Sequence, residues 1–267
     1  MLKEAIQYKS VITILYNENH IDNPTKIITD DHWNIAYSIC NILEAYNDAT
    51  NIFSLFYKPN VHLVIITCVQ ILQVVSESLS DDPNLLPIWT DMHKKWCDYF
   101  LEFPILYGVA CLLDPGVKRD VLFNWLEHYY DLLGITYNVD EYIEKCIDCL
   151  IELYKVYDTN EPDDSDTSGK GKGRFKGVLG SIMYKNKKSK TSISTSSSIS
   201  NKTSSHSEAF VAVDEYLEKK IKDASHEGFD IFAWWRKHQD DFHVLTKIAK
   251  DVLIVHVSTI VLESVFF

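Results

Sequence analysis

Three groups of side chains in this 267-residue chain have types and spacing that could do chemistry. The first is carboxylates. Asp30, Asp31, Asp81, Asp82 and Asp114 could supply oxygen ligands of the kind that Mg2+ prefers. Their local sequence points elsewhere: Asp30 and Asp31 stand where a helix would be capped, Asp81 and Asp82 lie in the loop Ser80-Asp-Asp-Pro-Asn84, and Asp114 precedes Pro115 as turn residues do. The second group is thiols. Cys146-x-x-Cys149 has no suitably spaced His pair after it, and its spacing sets Cys146 on a buried helix face with Cys149 beside it, zinc binding being the minor alternative. No metal site and no cofactor are therefore expected. The third group is charged and aromatic. Lys170, Lys172, Arg174, Lys176, Lys185, Lys187, Lys188 and Lys190 fall in a stretch, 169 to 190, that has no acid. Such a cluster contacts phosphate, acts as a nuclear localisation signal, or is simply solvated. Trp234-Trp235, with Phe229, Phe232, Phe242 and Leu245, is either an interface anchor or part of the chain's own core.

The elements that must position these groups read as helices. Trp33, Ala36, Tyr37, Cys40, Leu43, Tyr46 and Thr50 recur three or four apart after Asp30 and Asp31. Val61 to Leu79 is apolar on nearly all sides and reads as a buried helix, with a central strand over part of Val61 to Thr67 as the alternative. Pro87 opens a helix with an inner stripe of Trp89, Met92, Trp96, Tyr99, Phe100 and Phe103, and Pro104 closes it. Val121, Leu122, Trp125, Tyr129, Leu132 and Leu133 give another helix ending at Gly134. Asn138 or Asp140 starts the next, with a face of Tyr142, Ile143, Cys146, Leu150, Leu153, Tyr154 and Tyr157. From about Thr159 to Ser207 the sequence turns acidic, then Gly-Lys-rich, then Ser-Thr-rich, a composition that cannot bury apolar area and predicts a disordered linker. Helical periodicity returns at Ala209 to Lys222, and Phe229 to Phe267 is dense in Trp, Phe, Val, Ile and Leu.

Composition bounds the function classes. With 46% hydrophobic and 12% aromatic residues, the chain can bury a core. The N-terminus lacks the features of a secretory leader, the apolar segment Val61 to Val75 is too short to cross a bilayer, and 6 scattered Cys do not form a secreted disulfide framework. An intracellular protein with reduced thiols, no membrane partner and no small-molecule substrate is expected. The net charge of -12 excludes a nucleic-acid footprint over the whole surface, because phosphate binding needs clustered Lys and Arg. Any DNA contact is then local and weak.

Two stretches carry a family resemblance. Ala233-Trp-Trp-Arg236, Phe242-His-Val-Leu-Thr246, Ala249-Lys-Asp-Val-Leu253 and Ser258-Thr-Ile-Val-Leu-Glu-Ser-Val-Phe-Phe267 follow the order of the C-terminal dimerisation region of hAT-superfamily transposases. Trp33 to Ser54, Ala110-Cys-Leu-Leu-Asp-Pro-Gly-Val-Lys118 and Leu150 to Tyr157 resemble the hAT-like RNase-H fold segment of the plant RICESLEEPER type, whose members carry BED zinc fingers. His243 and His256 stand in place of family prolines, Gly116-Val117 in place of Arg-Phe, and Leu262 in place of a small Ser.

The resemblance implies a mainly α protein in three parts. Residues 1–158 are a helical remnant of an RNase-H-like transposase domain, 159–207 a disordered basic and Ser-rich linker, and 208–267 a small helical dimerisation unit. It implies nuclear localisation, and association as a homodimer or as a heterodimer with a related transposase through Trp234, Trp235, Phe242, Leu245, Ile248 and Leu253. The eight basic residues of the linker are the expected DNA contacts. Such transposases use three carboxylates to hold two divalent metals at the scissile phosphodiester. Glu263 corresponds to the third, as a vestigial residue, and the first two Asp are expected upstream of Met1, so no strand cleavage is expected of this polypeptide. The alternatives are a truncated form of an active hAT transposase, or a host-recruited protein-interaction module.

Overall fold

Apolar residues recur at helical rather than strand spacing on both sides of the stretch from about Thr159 to Ser207, and the computed structural model is mainly α. It describes residues 1–21, 27–54, 58–81, 83–158, 203–219 and 229–257. Among them are eleven α-helices, two short 3-10 turns and no strand. In order these are α1 (Leu2–Gln7), α2 (Lys9–Asn19), α3 (Asp30–Phe53), a 3-10 turn (Val61–Leu63), α4 (Val64–Asp81), a second 3-10 turn (Pro83–Leu85), α5 (Leu86–Phe100), α6 (Ile105–Leu112), α7 (Lys118–Leu133) and α8 (Val139–Asp158). The C-terminal part holds α9 (Thr203–Glu218), α10 (Ile231–Lys237) and α11 (His243–Leu253).

Local chemistry sets several boundaries. Pro87 lies in the first turn of α5, where its missing N–H costs nothing, and Pro104 is the N-cap of α6. Gly134 ends α7 in the left-handed region at φ 66°, which glycine adopts without strain. Asn138 caps α8 by accepting the Glu141 N–H at 3.2 Å. At α3 the cap is Thr29 instead of an aspartate: its backbone N–H donates to His32 Nδ1 at 3.0 Å, and Asp30 and Asp31 fall inside the first turn, where carboxylates favour the helix dipole.

The segment read as helix or strand, Val61 to Thr67, is a 3-10 turn running into α4. Val61–Asp81 is long and apolar enough by length and composition to cross a membrane, but Val64, Ile65, Cys68, Val69, Ile71, Leu72 and Val75 are buried against neighbouring helices. Helix α4 packs between α3 and α7.

Two predicted faces are rotated in the structure. On α3 the buried residues are Trp33, Tyr46, Ala49 and Phe53, while Tyr37 and Leu43 are exposed. The helix serves several neighbours from different sides: α2 meets its start, where Trp33 donates to Thr13, α1 lies beside its middle, where Lys3 pairs with Glu44, and α4 packs along it, so no single stripe faces the core. On α8 the buried set is wider than the predicted stripe and adds Ile147, Cys149 and Ile151. Ile147 and Ile151 lie beside Phe210, Val213 and Leu217 of α9.

The core crosses the chain without a break: one cluster of buried residues runs from Tyr46 to Leu253. Helix α8 packs against α6 and α7, and also against α9 and α11. Helices α6 and α8 approach closely at Gly108. A Cβ there would overlap Cys146 Sγ and lie 2.9 Å from Tyr142 Oη. Gly108→Ala is therefore expected to destabilise the fold by about 1–3 kcal/mol through overpacking, seen as a lower urea midpoint, with partial recovery when Cys146→Ala is added to make room.

Candidate functional site

The aromatic C-terminal region is built by short helices whose ends are well defined. The Asp230 carboxylate accepts the N–H groups of Phe232 and Ala233 at 2.9 and 3.0 Å and so starts α10. One turn later Trp234 and Trp235 stand edge to face, centroids 5.0 Å apart. Tyr216 of α9 packs on Trp235 at 5.1 Å and on Phe242 at 5.5 Å. Helix α11 then buries Val244, Leu245, Thr246, Ile248, Ala249, Val252 and Leu253.

This region docks onto α6, α8 and the turn after α6. The Trp235 indole N–H donates to the Leu113 carbonyl at 2.9 Å, with the side chain fully buried. Tyr157 at the end of α8 donates its O–H to Asp251 of α11 at 2.7 Å. Asn60 accepts the Val257 N–H at 3.2 Å and donates to the Phe53 carbonyl at 3.1 Å.

The polar centre of the seam is the turn Asp114-Pro-Gly-Val-Lys118. Lys118 has φ 51°, a left-handed conformation that a non-glycine side chain resists. Its ammonium donates to the carbonyls of Tyr216, at 2.6 Å, and Lys219, and lies over the Tyr216 ring at 4.7 Å. The lysine thus satisfies carbonyls that the end of α9 leaves without intrahelical partners. Burial brings the amine down to about 8. Asp114 accepts the Gly116 N–H at 2.9 Å and faces His62 Nε2 at 3.8 Å. Burial pushes the Asp114 carboxyl up to about 6 and the His62 imidazole down to about 4. His62 Nδ1 and the Tyr216 hydroxyl are buried without a hydrogen-bond partner.

The residues assigned to an interface, Trp234, Trp235, Phe242, Leu245, Ile248 and Leu253, are all buried within this one chain. Of the two readings of the Trp pair, the chain's own core describes where it sits. A partner could reach these side chains only by displacing the helices packed on them. Lys170, Lys172, Arg174, Lys176, Lys185, Lys187, Lys188, Lys190 and Glu263 lie outside the described residues, as does Asp82. Asp30 and Asp31 are at one end of α3, Asp81 ends α4, and Asp114 is in the seam. Among the described residues, no group of three or more His, Cys, Asp or Glu side chains lies together in a way that could hold a metal ion. Cys146 and Cys149 are buried thiols whose pKa values burial raises.

Sequence reasoning missed His62, Lys118 and Tyr216. His62 stands in an apolar run and Lys118 ends a turn motif; nothing in their spacing links them to Tyr216, which is 98 residues beyond Lys118.

The model of the hAT family C-terminal dimerisation region matches residues 212–267. The zinc finger BED domain-containing protein RICESLEEPER 2 of Oryza sativa subsp. japonica is 24% identical over 97% of this chain and 35% of its own length. RICESLEEPER 1 of the same organism is 23% identical over the same shares. A Zea mays protein named as an AC transposase is 22% identical over 100% of this chain and 31% of its own length. The chain spans about a third of the length of these relatives. No solved structure matches it. The chain is thus similar along nearly its whole length to RICESLEEPER and AC transposase proteins, and residues 212–267 match the hAT family C-terminal dimerisation region.

Proposed function

We propose that this chain is a transposase-derived protein that associates with a second copy or with a related transposase through residues 208–267. The observation that carries the reading is the dimerisation-region match over 212–267. Trp234, Trp235, Phe242, Leu245, Ile248 and Leu253 shape that unit by filling its core, so the partner meets the surface they hold in place. Light scattering on the full chain at micromolar concentration is expected to give twice the monomer mass of 30.8 kDa. A monomer mass there would overturn the self-association and leave only pairing with a related transposase.

DNA association, in this reading, is weak and local. It rests on Lys170, Lys172, Arg174, Lys176, Lys185, Lys187, Lys188 and Lys190, in a chain whose net charge is otherwise strongly negative. Retention on double-stranded DNA is expected at about 50 mM salt and is expected to be gone by about 200 mM, because each neutralised phosphate steepens the salt dependence. Deleting 169 to 190 should abolish retention even at the lower salt. The nucleus is the compartment that this activity and the lysine cluster suit.

Strand cleavage by this polypeptide alone is not part of the proposal. A two-metal site needs several carboxylates around its cations, and Glu263 is the single position that the family pattern assigns here. With Mg2+ and duplex DNA the 267-residue chain should leave the DNA intact on a denaturing gel. Metal-dependent nicking that Glu263→Gln removes would favour a second reading, in which these residues form part of an active transposase; the named activity of the Zea mays relative speaks for it.

A further inference from the structure

The seam between the helical body and the C-terminal region encloses two titratable side chains that face each other without bonding. The side chains of His62 and Asp114 are 10% and 13% exposed, and Nε2 and Oδ2 stand 3.8 Å apart, too far for a hydrogen bond. An imidazolium carries two N–H donors. In this seam Nδ1 has no partner and Nε2 stops short of the carboxylate. The carboxylate receives the Gly116 N–H, which falls well short of the donors that would replace its hydration. Both groups ionised would be an imperfectly bonded ion pair in a nearly dry place, where loss of hydration outweighs the attraction.

The neighbouring groups do not change this balance. Lys118 of α7 aims its ammonium at the Tyr216 and Lys219 carbonyls. Cys111 of α6 donates its S–H to the His62 carbonyl at 3.2 Å. Tyr216 of α9 keeps an unpartnered O–H, and its pKa is raised by burial and by the nearby Asp114 charge.

We propose that the seam closes over His62 and Asp114 as a neutral pair. In mildly acidic solution the open chain carries imidazolium and carboxylate. As the C-terminal region docks, His62 releases one proton and Asp114 takes one up, so the number bound is unchanged. Docking is thereby indifferent to pH over a range in which each residue alone would make it strongly dependent.

The direction of each contribution follows from linkage. Asp114 is raised from 3.8 to about 6, so its contribution to stability is complete below 3.8 and is lost as pH rises through about 6. His62 is lowered from 6.5 to about 4, so its contribution is complete above 6.5 and is lost as pH falls through about 4. The two opposite slopes overlap between about 4 and 6. This inference depends on the docked arrangement and stands whether or not the chain dimerises.

Urea unfolding of the full chain, followed by tryptophan fluorescence from about pH 7 to about 4.5, tests it. Relative to wild type, the folding equilibrium constant of Asp114→Asn should fall about tenfold per pH unit on acidification below about 6, and that of His62→Gln should rise by a similar factor. The double variant should run parallel to wild type. Single variants that both track wild type, or that slope the same way, would overturn the proposal. If either variant fails to fold, heteronuclear NMR of the wild-type imidazole decides instead: a His62 ring still protonated at about pH 5.5 contradicts the neutral pair, and a neutral ring there supports it.

Discussion

Helix α8 has to lose water over a wider arc than any one neighbour can cover. A helix on the surface of a domain buries a stripe about 100° wide. The buried residues of α8 include one set that meets α6 and α7 and another, Ile147 and Ile151, that lies against α9. The helical body therefore leaves an apolar face that only the C-terminal region closes. That requirement explains why buried residues form one cluster across both parts of the chain, although more than forty residues of a very different composition separate α8 from α9.

The same requirement alters the meaning of the aromatic residues near the C-terminus. Trp and Phe clusters mark partner surfaces when they are exposed. Here Trp235 is fully buried and spends its indole N–H on the Leu113 carbonyl, a link between residues 122 apart. Its role is to seat the C-terminal region on the body. Association with a second chain, in the reading proposed, uses the outside of a unit whose inside these side chains fill.

The polar side of the seam completes what apolar packing cannot. Helix ends that are buried must have their carbonyls satisfied, and Lys118 does this for α9 from a backbone conformation that non-glycine residues avoid. The strain is tolerated because the ammonium has two carbonyls and the Tyr216 ring to hold it. His62 and Asp114, in the same seam, are settled by the opposite means in the reading proposed, through loss of charge in mildly acidic solution instead of satisfaction of it. Burial of this kind is stable only where the surrounding packing is tight, as it is where α6 and α8 meet at Gly108.

Period, punctuation and composition were legible in the residues themselves. Pro87, Pro104, Gly134 and Asn138 bound helices because proline, glycine and a short amide have local backbone preferences that no distant contact needs to supply. The motif order that resembles hAT transposases is likewise a property of the chain read in one dimension, and the comparisons agree with it. What no spacing disclosed is which side of a helix meets which partner. Tyr37 and Leu43 of α3 have the period of a buried stripe yet face water, and Ile147 and Ile151 of α8 lie off the predicted stripe yet are buried, because burial depends on how many neighbours a helix has and where they cross it. The gathering of His62, Asp114, Lys118, Tyr216 and Trp235 belongs to tertiary structure for the same reason: His62 meets the Asp114–Lys118 turn by packing within the body, and Tyr216 and Trp235 reach it through the docking of α9 and α10.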